Sequence, residues 1–584
     1  MKQEDHREGT RGFWGIVAAQ FSGAFNDNAL RWFLIAMAMK EIEDRQEVGR
    51  VMTMATVLFL TPYLLFSMHA GSLADHFSKR KVLMISKLFE VMIMGLCVVV
   101  FLLVETFDII VIFLLAALFL LGTQATYYSP AKFGILPEIL PERLLSWGNG
   151  VFEMTGVFAI ILGTICGAEF VGFFREDRSF LAPVVFGGMA IFGFFATFFV
   201  PRVPAAAPSR SARINSLRAL MTYGSKLVRH RVLLLTLLSV VYVWSLGLLF
   251  QLSIALYGKE NLGLQERHTA YPMGVAAIGV GVGNIAASYL SGKTIEMGLL
   301  PVASVGMSLS AVALYFTPGS IAATCACVGL LGLFTGLFVV PTHSMLQEES
   351  ADEDKGGIWA ATNFLQTLGM LVAAGIFELL HGGLGLSPPV MFLLCGVGTL
   401  ATAVGLMVIL PESIGRMLIW PAGRKVRVVG QDNVPPHGPV IFLINGPPRR
   451  EGFLLLSGTR RFVRFVLPRS LIRGFVGRSV AQSLKAIAIG NPAEPEQVTL
   501  TRARVEGFLR KGDAVCLFAG AGSALLDGAN LPESAILQIL KASDSPVLPV
   551  TLERKGGSRV LNLSFEPSLQ TESDKAELIA RLSR

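Results

Sequence analysis

The chain has 584 residues, of which 52% are hydrophobic and 16% are charged, and its mean hydropathy is +0.58. Soluble domains carry about 25% charged residues, so these values indicate a membrane protein and exclude a disordered or fibrous chain. The six cysteines are scattered, which argues against a disulfide framework and against a zinc site. We therefore expect neither a metal nor a cofactor.

Twelve apolar segments precede residue 412, each close to the roughly 20 residues with which a helix crosses the hydrocarbon layer. They centre near residues 25, 62, 94, 118, 160, 190, 243, 280, 308, 332, 370 and 400, and the polar interval 201–231 divides them six and six. The pattern predicts an all-α membrane domain over residues 1–412, with twelve transmembrane helices in two six-helix halves.

Two basic connections predict the orientation of these helices. The stretch GSLADHFSKRK (71–81) joins helices 2 and 3, and the interval 201–231 holds seven Lys/Arg and no acid. Cytoplasmic connections are the ones enriched in Lys and Arg, so both are predicted to lie inside the cell. The N- and C-termini of this multi-pass protein are then cytoplasmic as well.

After residue 412 the pattern changes to short apolar strands and amphipathic helices. The predicted strands are VIFLIN (440–445), AVCLFA (514–519), PVLPVTL (546–552) and RVLNLSF (559–565), and a helix is predicted over 500–512. Residues 421–584 carry 23 Lys/Arg and 14 Asp/Glu, whereas the rest of the chain is near neutral. We predict a linker over 413–430 and a cytoplasmic C-terminal α/β domain over 431–584.

Polar side chains inside the apolar segments are the candidates for substrate binding, because ionisable groups in membrane helices are costly and mark functional sites. The i,i+4 spacing of two of them, Asn149 and Glu153, predicts that they share one face of helix 5. The candidates lie in helices 1, 4, 5 and 10 and are Asn26, Asp27, Asn28, Lys132, Asn149, Glu153, His343, Gln347 and Glu348.

The four ionisable candidates also have structural alternatives. Asp27 and His343 could be hydrogen-bonding residues between helices, His343 rather than a titrating switch. Lys132 could extend its ammonium to the membrane surface. Glu153 lies near a helix start, where a carboxylate interacts favourably with the helix dipole.

The connection between helices 2 and 3 resembles the loop signature of the major facilitator superfamily. Its signature residues are Gly71, Asp75, Arg80 and Lys81. Gly71 would allow close helix approach, and Asp75 could cap or pair with Arg80 or a neighbouring helix end.

Four motifs resemble the bacterial lysophospholipid transporters of that superfamily: DNAL (27–30), YSPAKFGIL (128–136), NGVFE (149–153) and FVVPTHSMLQE (338–348). The resemblance implies movement of lysophospholipids, chiefly lysophosphatidylethanolamine, across the bacterial inner membrane. Lys132 would meet the phosphate, and Asp27 or Glu153 the amine. One departure is Gln251 in helix 7, where a basic residue facing the pore would be expected, so the resemblance leaves the headgroup preference open.

The C-terminal domain resembles the glycerolipid acyltransferases, which reacylate lysophospholipids, but the catalytic boxes differ. Asn445 ends a strand, Gly446 stands where the general-base His is expected, and Glu451 stands where the orienting Asp is expected. The second box, Phe-Pro-Glu-Gly, is replaced by FAGA (518–521). Glycine cannot accept a proton, so we expect no catalytic residue here and favour a pseudo-acyltransferase over an enzyme.

Eight arginines and one acid lie between residues 449 and 478, interleaved with Phe and Leu. The pattern favours a surface for anionic lipid headgroups over a merely solvated face, and no nucleic acid is expected as a partner. The residues predicted for this surface are Arg449, Arg450, Arg460, Arg461 and Arg464.

These observations favour a lysophospholipid transporter with an inactive cytoplasmic domain, whose expected partners are the lysophospholipid, membrane lipids and an acyltransferase or acyl carrier. Two alternatives stay open. The chain could be a bifunctional transporter–acyltransferase, or a facilitator for another amphiphile.

Overall fold

The structure, a computed structural model, describes most of the membrane region and the strands of the C-terminal region. The described residues are 2–173, 180–206, 221–225, 227, 231–263, 270–291, 298–409, 426–435, 438–445, 455, 459, 461, 463–468, 486–489, 495–519, 536, 538–540, 545–554 and 561–569. The chain divides into two compact units, residues 1–299 with 303–400 and residues 300–302 with 401–584. The predicted domain boundary at residue 412 lies outside the described residues.

Twelve α-helices of sixteen residues or more are described before residue 410. The first six are α1 (Lys2–Glu41), α2 (Arg45–His76), α3 (Lys79–Leu103), α4 (Phe107–Ile139), α5 (Glu142–Phe173) and α6 (Leu181–Ala196). The last six are α7 (Arg231–Glu260), α8 (Ala270–Ser291), α9 (Leu299–Leu314), α10 (Ile321–Glu349), α11 (Lys355–Glu378) and α12 (Pro388–Ile409).

Nine of the helices in the described residues are long and apolar enough to cross a membrane, and α9 and α12 are shorter apolar helices. The remaining helix, α1, carries several charged residues in its first three turns. A helical membrane region is therefore confirmed, whereas the number of twelve spans stays a prediction.

Glycines allow α8 and α10 to pack backbone against backbone. A Cβ on Gly279 would lie 2.3 Å from the carbonyl oxygen of Gly329, and a Cβ on Gly283 would lie 2.1 Å from that of Leu333. Both distances are shorter than van der Waals contact, so a larger residue would force the helices apart.

The C-terminal unit is built on a seven-stranded sheet in the order β1-β7-β6-β2-β5-β3-β4. Among the described residues of this unit, one helix is longer than a single turn, α13 (Pro495–Leu509). The strands are β1 (Val426–Val429), β2 (Val440–Asn445), β3 (Val463–Pro468), β4 (Ile487–Ile489), β5 (Ala514–Ala519), β6 (Val547–Arg554) and β7 (Leu561–Phe565).

The sheet agrees with the four predicted strands, which correspond to β2, β5, β6 and β7, and adds three that the sequence did not predict. The helix predicted over 500–512 begins earlier, at Pro495, and ends at Leu509. Gly512 follows it with a φ of 82°, a left-handed conformation that favours glycine. β2 runs parallel to β5 and β6.

Candidate functional site

A buried ion pair is the centre of a polar cluster in the first six helices. The Lys87 ammonium lies 2.7 Å from Glu90 Oε2, and both side chains, three residues apart on α3, are fully buried. From α1, the Asn26 amide donates to Glu90 Oε1 at 2.8 Å, and Ser22 Oγ accepts from Lys87 at 3.1 Å. Buried charges persist when they are paired and hydrogen-bonded, and this pair meets both conditions.

Asp27 lies beside this cluster on α1. Its Oδ1 is buried and has no hydrogen-bond partner among the described residues. Its charged neighbours are the anion Glu90 and the cations Lys87, Arg31 and Lys132. An unpartnered carboxylate oxygen in this position is able to accept a hydrogen bond from a bound ligand.

Asn28 belongs to α1 itself rather than to the cluster. Its amide Nδ2 donates to the Ala24 carbonyl at 2.8 Å, and its Oδ1 accepts from Arg31 Nη2 at 2.6 Å. The side chain thus holds the Arg31 guanidinium against α1.

Lys132 of α4 places its ammonium among aromatic rings. Nζ donates to Gln20 Oε1 at 2.8 Å and lies 4.9 Å from the centre of the Phe133 ring. The rings of Tyr128 and Phe152 are each 5.8 Å away. The ammonium is attracted to the faces of these rings and is directed toward α1 and α5.

A polar ladder joins α5 to α10. The Asn149 amide donates to Gln347 Oε1 at 2.6 Å, and Gln347 Nε2 donates back to Asn149 Oδ1 at 3.1 Å. One turn further along α5, Glu153 Oε1 lies 3.0 Å from His343 Nδ1. The two α5 residues share one helix face, and both partners come from one face of α10.

Aromatic side chains pack beside the ladder. The ring of Phe133 stacks on that of Trp359 at 4.1 Å, and the His343 ring packs edge-on against both. His343 Nε2 and Trp359 Nε1 are buried without a hydrogen-bond partner among the described residues. Glu348, which follows the ladder on α10, is half-buried.

The loop signature holds α11 by its N-terminus. The Asp75 carboxylate is 1% exposed and accepts from the backbone N–H groups of Gly356 at 2.8 Å and Gly357 at 2.9 Å. These are free donors of the first helical turn, at the positive end of the helix dipole. A Cβ on Gly71 would lie 2.4 Å from Ala360 Cβ, so α2 and α11 are in close contact there.

The two basic signature residues contact other parts of the first half. Arg80 Nη2 donates to the Phe198 carbonyl at 3.0 Å, and Lys81 Nζ lies 5.5 Å from the Phe77 ring centre. Neither of these contacts involves Asp75.

The contacts between the first and last six helices described above lie at one end of the helices. α2 ends at His76 and α11 begins at Lys355, while α5 begins at Glu142 and α10 ends at Glu349. Both sets of contacts are therefore on the side of the connection between α2 and α3. The structure is closed at that end.

Three charged residues near the candidates were not predicted as part of the site. Lys87 and Glu90 lie in the run VLMISKLFEVMIMG, where two charges three residues apart interrupt an apolar helix. Arg31 lies one turn beyond Asp27 on the same face of α1. Both signals were visible in the sequence, but spacing alone does not say which charges pair.

In the C-terminal unit, β2 and β5 end side by side. Asn445, the last residue of β2, is the register partner of Ala519, the last residue of β5. The two segments that resemble the acyltransferase boxes thus begin at neighbouring strand ends. Gly446 and Glu451 lie outside the described residues.

Two arginines of the predicted lipid surface have internal partners instead. Arg461 donates to the carbonyls of Pro435, Gly438 and Gly512. Arg464 Nε lies 2.8 Å from Asp513 Oδ2. Their guanidinium groups therefore join segments of their own domain, and their place on a lipid surface stays a prediction. Arg449, Arg450 and Arg460 lie outside the described residues.

Comparison with known proteins relates the membrane region to transporters. A family model described as Major Facilitator Superfamily matches residues 17–374. The lysophospholipid transporter LplT of Klebsiella pneumoniae (strain 342) is 26% identical over 420 residues, which are 71% of this chain and 97% of the relative. LplT of Escherichia coli O9:H4 (strain HS) is 27% identical over 395 residues, covering 67% and 93%.

A solved structure has the same fold. The E. coli fucose:proton symporter FucP matches with a TM-score of 0.53 at 12% identity, over 67% of this chain and 97% of that one. At this identity the likeness concerns the fold alone.

Proposed function

Because the chain belongs to the major facilitator superfamily, we propose that it moves lysophospholipids, such as lysophosphatidylethanolamine, across the bacterial inner membrane by alternating access. The proposal is supported by the lysophospholipid transporters that it resembles over nearly their whole length. One observation carries it: an unpartnered Asp27 carboxylate oxygen and the Lys132 ammonium lie inside the membrane helices.

A zwitterionic headgroup has the chemistry to match this pair. Its phosphate would bind the Lys132 ammonium, and its amine would bind Asp27. Glu153, the other residue considered for the amine, is engaged by His343 at the closed end. The acyl chain would lie along apolar helix faces.

The proposal includes twelve membrane-spanning helices with both termini in the cytoplasm. Support comes from the basic connection between α2 and α3 and from the basic interval 201–231. In that orientation the closed end of the structure faces the cytoplasm. Transport would then require the Asp75 contacts and the α5–α10 ladder to separate. Their separation would open the site to the cytoplasm.

The C-terminal domain would be a pseudo-acyltransferase that positions the transporter near a lipid-modifying partner. The adjacent ends of β2 and β5 support an acyltransferase-like arrangement, because α/β sheets bind ligands at the carboxyl ends of parallel strands. The sequence following them lacks the general base. Residues Arg449, Arg450 and Arg460 remain the candidates for lipid contact.

The decisive experiment is a proteoliposome assay with acyl-labelled lysophosphatidylethanolamine in one leaflet. Wild type is expected to accelerate transbilayer movement. Asp27→Asn and Lys132→Gln should each slow it about tenfold or more, because a hydrogen bond to a charged group contributes about 1.5–3 kcal/mol. The exposed residues Asp108 and Lys40 provide matched controls, Asp108→Asn and Lys40→Gln, which should keep the wild-type rate.

Two outcomes would favour the alternatives. If wild type moves an unrelated amphiphile, such as a fatty acid, but no lysophospholipid, the transport proposal fails. If the full-length chain transfers acyl groups to lysophospholipid, and Glu451→Ala abolishes the transfer while transport persists, the bifunctional alternative replaces the pseudo-acyltransferase.

A further inference from the structure

The cations around Asp27 differ in how they are neutralised. Lys87 forms the buried ion pair with Glu90 at 2.7 Å. Arg31 has no carboxylate within 4.0 Å among the described residues, and its Nη2 donates only to the neutral amide of Asn28. Arg31 therefore forms no salt bridge among the described residues, and the acid whose charge acts on it is Asp27, one turn away on α1.

The guanidinium of Arg31 is also incompletely hydrogen-bonded. Its Nε is buried and has no partner in the described part of the chain. A buried N–H without an acceptor is unfavourable, and a bound acceptor removes that cost. The Phe59 ring, 5.4 Å from the guanidinium carbon, and the Asn28 amide limit the orientations of the group.

We propose that Arg31 supplies a second phosphate-binding position for the transported lipid, one turn beyond Asp27, and that this arginine makes a phosphate diester a required feature of the substrate. The proposal rests on the proposed function and deepens it. A guanidinium offers several N–H donors in one plane, which suit the oxygens of a phosphate. Asp27, one turn away, would accept the amine or hydroxyl of the headgroup.

The charges near the site leave two cations for a phosphate. Beyond the Lys87–Glu90 pair, these charges are Arg31, Lys132, Asp27 and Glu153. Glu153 is paired with His343, and Asp27 is assigned to the amine or hydroxyl of the headgroup. α7 has lysine or arginine only within its first or last two residues, and Gln251 lies between them. α7 therefore offers no cation inside the helix for the phosphate.

The test compares Arg31→Gln and Arg31→Lys with wild type in the proteoliposome assay. Arg31→Gln should raise the apparent KM for lysophosphatidylethanolamine about tenfold to a hundredfold, because it loses a charge-assisted bond. Arg31→Lys should recover part of the affinity, since an ammonium retains the charge but not the planar donors. Arg50→Gln, at an exposed position of α2, should leave KM unchanged.

Competition separates phosphate binding from a structural role. A monoacylglycerol with the same acyl chain lacks the phosphate, so its inhibition constant should be equal for wild type and Arg31→Gln. Equal weakening of both ligands, or an unchanged KM in Arg31→Gln, would overturn the inference. In both results wild type still moves lysophospholipid, so the proposed function stands; if wild type moves none, the proposed function itself fails.

Discussion

The first and last six helices contribute different chemistry to the polar groups of the membrane region. The first half carries Asp27, Arg31, Lys87, Glu90 and Lys132 within or beside one polar cluster. The last half contributes neutral amides, aromatic rings, a histidine and backbone N–H groups. Charged groups in a membrane need fixed partners, and a single rigid half provides them without change during transport. The contacts between the two halves must instead be released during transport.

Removing the internal partner of a charge is expected to have the largest effect. Glu90→Ala leaves the Lys87 ammonium buried and unpaired, so it should lower the free energy of unfolding by about 3–5 kcal/mol. The same substitution in the exposed pair of Lys40 and Glu41, Glu41→Ala, should cost about 0–1 kcal/mol. Denaturant unfolding in detergent measures both.

If Glu90→Ala lowers the free energy of unfolding by less than about 1 kcal/mol, the charges of the first six helices do not depend on internal partners, and the contrast with the last six helices is lost. The double variant Lys87→Met, Glu90→Leu provides a further check. It should recover most of the stability, because no unpaired charge remains.

An intermediate effect is expected at the close contact between the halves. Gly71→Val places side-chain atoms against Ala360 and should disfavour the closed end by about 1–3 kcal/mol. A cysteine introduced by Ala360→Cys, at a fully buried position, should then react faster with a polar maleimide. Gly95→Val meets no atom within 4 Å of its Cβ and should leave the reaction rate unchanged. Equal rates in both variants would show that this contact does not control closure.

The smallest effect is expected at the amide pair of the ladder, Asn149 and Gln347. A double-mutant cycle with Asn149→Ala and Gln347→Ala should give a coupling energy of about 0.6–1.7 kcal/mol, as for other hydrogen bonds between membrane helices. Unfolding of the two single variants and the double variant provides the measurement. A coupling energy as large as that of the Lys87–Glu90 pair would contradict the contrast between the halves.

One of the three strands that the sequence did not predict, β3, shows where local composition misleads. β3 lies in RRFVRFVLPRS, whose arginines indicated a membrane surface. In the sheet, Val463, Phe465 and Leu467 join one core on one face, while Val466 joins another core on the other. The charged side chain of Arg464 is tolerated within this strand because the Asp513 carboxylate pairs with it. A partner 49 residues away cannot be identified from local composition.

The sequence by itself determined the helical membrane region, four of the seven strands of the C-terminal sheet and the shared face of Asn149 and Glu153. These follow from hydropathy and helical periodicity, which are local properties of the chain. Only the tertiary structure decided that Lys87 forms a buried salt bridge while Arg31 forms none among the described residues, because pairing depends on distances of a few ångströms between side chains. That difference in pairing separates a structural charge from a candidate ligand for phosphate.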